Sequence, residues 1–186
     1  MYKILGLVGS TSGTKTRIAM DSFASKVDPN QEFTLLDLKD LDTVFADGRD
    51  YRDYTGHTKL IIDSILESDA LVIGMPVYQS SFPGVLKNIL DLLPIDSLRD
   101  KPIGIITTAG TSKHFLVPEY QLKPVLKYMK ADVLDSYVFI EDTSFINNMI
   151  QDDDVDMRLD RLAYQLLETL ELQAELKQKR EDAFDF

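Results

Sequence analysis

Short apolar segments alternate with helix-like segments along most of this chain. Strands separated by helices of this length imply right-handed crossovers, and therefore a parallel sheet covered by helices on both faces. The predicted strands are residues 2–8, 32–38, 70–75, 103–108 and 133–140, and the predicted helices are residues 16–27, 57–67, 83–93, 118–129 and 154–179.

Five strand–helix units fit an α/β fold of the flavodoxin-like, doubly wound type, with strand order 2-1-3-4-5 and helices on both faces. The 186 residues, 44% of them hydrophobic, suffice for one core without covalent cross-links. No internal repeat or linker divides the chain. We therefore expect a single domain over residues 1–180, followed by an acidic tail over residues 181–186.

The composition excludes several kinds of site. The chain has no cysteine, which rules out disulfides, thiolate metal sites and a cysteine nucleophile. Its net charge of −11 argues against a nucleic-acid partner. No apolar run approaches the length of a membrane span, and the opening residues read as a strand, so we expect a cytoplasmic protein without membrane contact. The acidic run at residues 152–156 lacks the pattern of a calcium loop and is interpreted as a helix cap, so no metal is expected.

The segment over residues 70–93 has the form of a ligand platform. The apolar run Ala70–Ile73 predicts a buried strand, and a helix follows from Pro83 with Leu86, Ile89, Leu90 and Leu93 at helical spacing. Between them lies a short loop rich in backbone donors, with an aromatic ring at Tyr78. Such a loop at the carboxyl end of a parallel sheet is a usual place for a ligand.

The loop after the first strand, residues 9–16, is suited to a phosphate monoester. It combines glycines with several hydroxyl groups, and the helix that follows directs free N–H groups into it. It lacks both the Gly-Lys-Ser/Thr ending of a triphosphate loop and the G-x-G-x-x-G spacing of a dinucleotide fold. FMN is therefore preferred over ATP or NAD as the tightly held ligand, and the alternative is an ordinary polar turn. The candidate ligands are Ser10, Ser12, Lys15 and Thr16, with Lys15 favoured as the countercharge.

The fourth predicted strand ends in a second group of small and hydroxyl-bearing residues. Ala109 and Gly110 would let the backbone approach a planar ring, and Thr108 and Thr111 could bond to the carbonyl groups of that ring. His114 follows, and no carboxylate is spaced to orient it as an acid, so a structural or ring-contact role is favoured.

These motifs resemble the flavodoxin-like NAD(P)H-dependent FMN reductases. The resemblance rests on the run from Pro76 to Asp91, on Thr108–Thr111 and on the Leu122–Leu126 run LKPVL, which are similar to flavin reductases of two-component alkanesulfonate monooxygenase systems. It implies bound FMN, NAD(P)H as co-substrate, hydride transfer without a catalytic side chain, and flavin contacts from Pro76, Val77, Tyr78, Gln79 and Ser80.

Two other functions and several partners remain open from the sequence. A quinone or azo-compound reductase would use the same FMN site, and a flavodoxin-type electron carrier would bind FMN without turning over NAD(P)H. The resemblance further implies a homodimer or homotetramer with Tyr120 at a subunit interface, and a flavin-dependent monooxygenase as a possible recipient of reduced FMN. The loop over residues 45–56, which carries Phe45, Tyr51 and Tyr54, is the candidate cover for a neighbouring subunit's flavin, or else an ordinary surface loop.

Overall fold

A parallel sheet lies at the centre of the computed structural model, which describes residues 1–184. Its order is β2-β1-β3-β4, with β5 and β6 both paired to the outer edge of β4, so the predicted flavodoxin-like order 2-1-3-4-5 is confirmed. The strands are β1 Lys3–Val8, β2 Glu32–Asp37, β3 Ala70–Pro76, β4 Pro102–Ala109, β5 Asp132–Val133 and β6 Val138–Glu141.

Helices cover both faces of the sheet. Side chains of α1 and α5 pack in one apolar cluster, and those of α2, α3 and α4 pack in the other. Within the described residues, no helix is both long enough and apolar enough to span a membrane. The helices are α1 Lys15–Ala24, α2 Gly56–Glu67, α3 Gly84–Leu92, α4 Lys123–Tyr128 and α5 Asp153–Phe184, and a small hairpin of β7 Phe145–Ile146 and β8 Met149–Ile150 precedes α5.

The helix α5 is longer than the sequence pattern predicts. Its apolar face ends near Leu170, but the helix continues to Phe184 and so includes most of the predicted tail over residues 181–186. Residues 185 and 186 lie outside the described part of the chain. Residues 180–184 lie beyond the predicted end of the helix, and the first three of them, Arg180, Glu181 and Asp182, are polar and exposed, so apolar periodicity gave no signal for them.

The predicted continuous fifth strand over residues 133–140 is wrong in one detail. Val133 pairs with Ile103 and Val138 pairs with Ile106, so four residues, 134–137, lie opposite only two on β4. Lys123 Nζ donates to the carbonyl of Asp135 at 2.7 Å and holds this bulge in place. The fifth position of the sheet is therefore two short strands, β5 and β6.

The helix predicted over residues 118–129 begins as a π-helix. Pro118–Leu122 adopts this wider helix before α4 starts at Lys123. Pro124 has no N–H to offer the carbonyl of Tyr120 four residues earlier, and its ring crowds that carbonyl in a regular α-helix. The N–H of Lys123 instead donates to the carbonyl of Pro118, five residues back, which is the π register.

A buried lysine contacts the C-terminal end of α2, at the edge of the sheet opposite to the loops described below. The ammonium of Lys101 donates to the carbonyl of Ile65 and, at 3.2 Å, to Ser68 Oγ. Lys101 is only 9% exposed, and this burial lowers its pKa to about 8. The lysine thus satisfies acceptors at a helix terminus that would otherwise be buried without a donor.

Candidate functional site

The loops that follow β1, β3 and β4 meet at the carboxyl edge of the sheet. Ser12 in the first loop and Tyr78 in the second are joined through their hydroxyls at 2.8 Å. The N–H of Val77 donates to the carbonyl of Thr108 at 3.0 Å and ties the second loop to the end of β4. Three segments far apart in the sequence therefore surround one place at the switch point of the sheet, between β1 and β3.

The first turn of α1 is free to bind an anion. Thr14 precedes the helix without a side-chain cap, and the first turn contains no acidic residue. Gly13 has a φ of +84°, a left-handed conformation that favours glycine, and it turns the loop back over the helix terminus. The donors of this turn, together with the exposed hydroxyl of Ser12, match the chemistry of a phosphate group.

Two of the predicted phosphate residues lie deeper in the loop. Ser10 is buried, and its hydroxyl donates to the carbonyl of Ser12 at 3.0 Å, which shapes the loop. Thr16 is also buried, and its hydroxyl bonds to that of Thr108 at 2.7 Å. If Thr108 donates in this pair, the hydroxyl hydrogen of Thr16 remains available for a ligand.

The two basic residues near this loop are both ion-paired. Lys15 Nζ lies 2.8 Å from a carboxylate oxygen of Asp142, and both side chains are a little over 40% exposed. Arg17 bonds to Asp21 at 2.9 Å and approaches the buried Asp37 at 3.6 Å, and the hydrogen bond to Asp21 raises the pKa of Arg17. Lys15, the predicted countercharge for a phosphate, is therefore ion-paired with Asp142 in this structure.

The turn after β3 is a tight two-residue loop. Tyr78 and Ser81 exchange two backbone hydrogen bonds of 2.9 and 3.0 Å. Gln79 and Ser80 between them both have positive φ, at +47° and +60°, as a hairpin turn of the primed type requires. Both tip residues are exposed, and Pro76 at the end of β3 pairs with Thr108 of β4.

The end of β4 offers an open surface at Gly110. Ala109 is buried, and a Cβ atom built on Gly110 would meet only Asp142 Oδ2, at 3.7 Å. The hydroxyl of Thr111 accepts from the N–H of Lys113 at 3.4 Å and caps a short 3₁₀ turn. All thirteen predicted site residues thus lie on three adjoining loops or on the ends of β3, β4 and α1 that border them, although the hydroxyls of Thr108 and Thr111 already have partners within the chain.

Sequence reasoning missed Asp142 as a member of this group. It follows β6 directly and so lies at the carboxyl edge beside β4, where it contacts Lys15. The same rule that placed the other loops, that ligand residues follow parallel strands, could have found it. The predicted end of the fifth strand at Ile140 already pointed to this position.

The three aromatic residues of the candidate covering loop differ in their exposure. Tyr54 is buried, and its hydroxyl donates to Asp47 at 3.1 Å. Tyr51 is half-buried, whereas Phe45 is 83% exposed. Asn88 of α3 holds the loop through hydrogen bonds to the backbone at residues 44 and 46.

The chain's two histidines and its acidic run at residues 152–156 lie in ordinary structural surroundings. His57 accepts from the N–H of Asp42 at 3.0 Å, and His114 is half-buried. Asp152 accepts from the N–H groups of Asp154 and Val155 at 3.1 and 3.3 Å, which confirms the capping role predicted for the acidic run. Within residues 1–184 no three histidine or acidic side chains are grouped to hold a metal ion.

Comparison with known proteins identifies the family. The sequence profile described as NADPH-dependent FMN reductase matches residues 2–144. The chain belongs to the NADPH-dependent FMN reductase family. It is therefore an oxidoreductase that uses FMN with NAD(P)H as co-substrate, as the sequence resemblance predicted.

Individual relatives agree with the family assignment. The chain is 36% identical over 169 residues to an NAD(P)H-dependent FAD/FMN reductase of Geobacillus thermodenitrificans, which covers 89% of this chain and 91% of that protein. It is 35% identical over 103 residues to an FMN reductase (NADPH) of Pseudomonas aeruginosa, about half of each chain, at 55%. The structure resembles the apo form of the NADH:FMN oxidoreductase EmoB with a TM-score of 0.73 and 25% identity, covering 89% of this chain and 88% of that one.

Proposed function

We propose that the three loops at the carboxyl edge form the FMN site of this reductase. The observation that carries the proposal is the meeting of the uncapped first turn of α1 with the ends of β3 and β4, joined by the Ser12–Tyr78 and Thr16–Thr108 hydroxyl pairs. A phosphate would be held at one end of this surface and a planar ring at the other. Residues 1–180 would make up this one FMN-binding domain, in a cytoplasmic protein with access to NAD(P)H.

The phosphate end would use the first loop. The N–H groups at the start of α1 and the hydroxyls of Ser12 and Thr16 are the donors, and Ser10 shapes the loop through its bond to the backbone. Lys15 is within reach as a countercharge once it leaves Asp142. Hydrogen bonds to a charged oxygen are each worth about 1.5–3 kcal/mol, so a few of them suffice to select FMN over riboflavin.

The ring end would use the second and third loops. Pro76, Val77 and the Tyr78–Ser80 turn would line one edge, and Thr108–Thr111 would line the face left open at Gly110. FMN supplies the redox chemistry when bound, since its ring accepts hydride from the nicotinamide. The protein's contribution is to orient the two rings and to exclude water, which requires no catalytic side chain.

We further propose that the protein is a homodimer or homotetramer. An apolar cavity of about 670 Å³ lies between the end of α3 and α4, and Ile95 and Tyr128 on its rim are 93% and 87% exposed. Tyr120 on the π-helix is also exposed, in keeping with an interface role. Sedimentation should show a species larger than 21.1 kDa, and Tyr128→Glu should reduce it to a monomer. A wild-type monomer with full activity would contradict this proposal.

A flavin-dependent monooxygenase is the partner that the sequence resemblance suggests for reduced FMN. Reduced FMN would have to leave the site for solution to reach such a partner. Two features favour this release, namely the exposed ion pair of Lys15 with Asp142 and the open face at Gly110.

Binding of FMN and of riboflavin tests the site directly. The two ligands differ only in the phosphate, so we expect FMN to bind at least about tenfold more tightly, the equivalent of one charge-assisted hydrogen bond. Titration of ligand fluorescence against purified apoprotein measures both constants. Equal affinities would contradict the assignment of the first loop to phosphate.

A further inference from the structure

Asp142 stands between the two ends of the proposed site. Its carboxylate lies 2.8 Å from Lys15 Nζ, and one oxygen lies 3.7 Å from the place of a Cβ on Gly110. Lys15 is the first residue of α1, beside the N–H groups assigned to phosphate. Lys15, the basic residue nearest to the proposed phosphate position, is therefore already paired with the carboxylate of Asp142.

Of the two basic residues in this stretch, Lys15 is the one that can change partners. Arg17 is held by two carboxylates, one of them the buried Asp37. The Lys15–Asp142 pair is exposed at both ends, with side chains 42% and 45% accessible. Exposed lysine–carboxylate pairs are weak, whereas a doubly charged phosphate forms stronger bonds with the same ammonium.

We propose that Asp142 competes with the FMN phosphate for Lys15 and so lowers the affinity for phosphate-bearing flavin. The proposal rests on the proposed FMN site and adds a residue that determines how tightly FMN is held. On binding, Lys15 leaves the carboxylate for the phosphate, and on release it returns. The exchange of partners makes FMN easier to lose without weakening contacts to the ring.

The test compares FMN and riboflavin binding in five proteins: the wild type, Asp142→Asn, Asp142→Glu, Lys15→Met and the double variant Lys15→Met with Asp142→Asn. Asp142→Asn should bind FMN about twofold to fivefold more tightly than the wild type, the range spanned by an exposed ion pair. Its affinity for riboflavin should not change, because riboflavin has no phosphate to attract Lys15. Asp142→Glu keeps the charge and should resemble the wild type, and Asp142→Asn in a Lys15→Met background should alter FMN binding less than it does alone.

Asp156→Asn is the matched control. It removes one negative charge from the pair with Lys26, beyond the other end of α1, and should leave FMN affinity unchanged. Thermal unfolding of each variant shows whether it is folded.

Three results for Asp142→Asn would overturn the inference. Weaker FMN binding by Asp142→Asn would mean that the carboxylate positions Lys15 for the phosphate. Equal tightening of FMN and riboflavin would mean that it acts on the ring, and no change would mean that it has no effect. If the wild type binds FMN no better than riboflavin, the proposed phosphate site fails, and the inference fails with it. An unchanged Asp142→Asn beside an FMN-selective wild type overturns the inference alone.

Discussion

The buried hydroxyl pair of Thr16 and Thr108 allows stability and FMN binding to be separated. The two oxygens are 2.7 Å apart, and the residues are 5% and 4% exposed. Valine has nearly the shape of threonine without the hydroxyl, so Thr16→Val or Thr108→Val leaves one buried hydroxyl without its partner. This should lower the free energy of unfolding by about 1–3 kcal/mol, whereas replacing both should be nearly neutral.

FMN affinity should follow a different pattern. Thr16 is proposed to donate to the phosphate, so Thr16→Val should weaken FMN binding by about tenfold to a hundredfold. Thr108 is proposed to line the ring, and its hydroxyl is already bonded to Thr16, so Thr108→Val, which keeps the shape of the side chain, should have a much smaller effect. The double variant should recover stability but keep the weak FMN binding of Thr16→Val.

Urea denaturation followed by circular dichroism gives the stability of the four proteins, and fluorescence titration gives their FMN affinities. A domain of this size is commonly stable by about 5–15 kcal/mol, so the single variants should remain folded. FMN affinity that recovers with stability in the double variant would refute the phosphate role of Thr16. An unchanged affinity in Thr16→Val would refute it as well.

Three other changes test separate parts of the structure. Tyr78→Phe removes the hydrogen bond to Ser12 and should weaken FMN binding about threefold to tenfold, with little change in melting temperature. Unaltered FMN binding would argue against a role for this hydrogen bond. Gly110→Val has room in the fold but should block the flavin ring, so FMN-dependent NAD(P)H oxidation should fall about a hundredfold while the circular dichroism spectrum is unchanged. Retained activity would mean that the ring binds elsewhere. Burial lowers the pKa of Lys101 to about 8, whereas in the unfolded chain this pKa is 10.5, so the unfolded state binds more protons between pH 8 and 10.5. The free energy of unfolding should therefore rise by about 3 kcal/mol over this pH range. Urea denaturation should show no such rise in Lys101→Met, and parallel pH profiles for the two proteins would contradict the lowered pKa.

The elements with strong apolar periodicity were predicted closely. The strand starting at Ala70 and the helix following Pro83 lie within about one residue of their predicted bounds, because the pattern that defines them is also the pattern of their burial. The parallel direction of the strands follows from the helical crossovers. The location of three ligand loops at one edge follows from that shared direction.

The departures arise from contacts between distant residues. The break between β5 and β6 is held by Lys123, which reaches the carbonyl of Asp135, and no local pattern marks that bond. Pro124 was visible in the sequence, but its effect on the preceding turn depends on the register of the helix.

Side-chain pairing within the site was equally beyond local patterns. Thr16 and Thr108 are 92 residues apart, and the partner of Lys15 was not anticipated at all. The residue types at the site could be predicted because they follow the strands, whereas their mutual contacts could not, since these depend on how the loops pack.

Oxidation of NAD(P)H by protein whose bound flavin has been quantified tests the central claim most directly. We expect steady consumption of NADH or NADPH when free FMN is added, with little consumption by flavin-free protein alone. A flavodoxin-type carrier would instead consume neither nucleotide without a separate reductase. If the wild-type protein oxidises neither NADH nor NADPH with FMN or with a quinone as acceptor, the account of this chain as a reductase is contradicted.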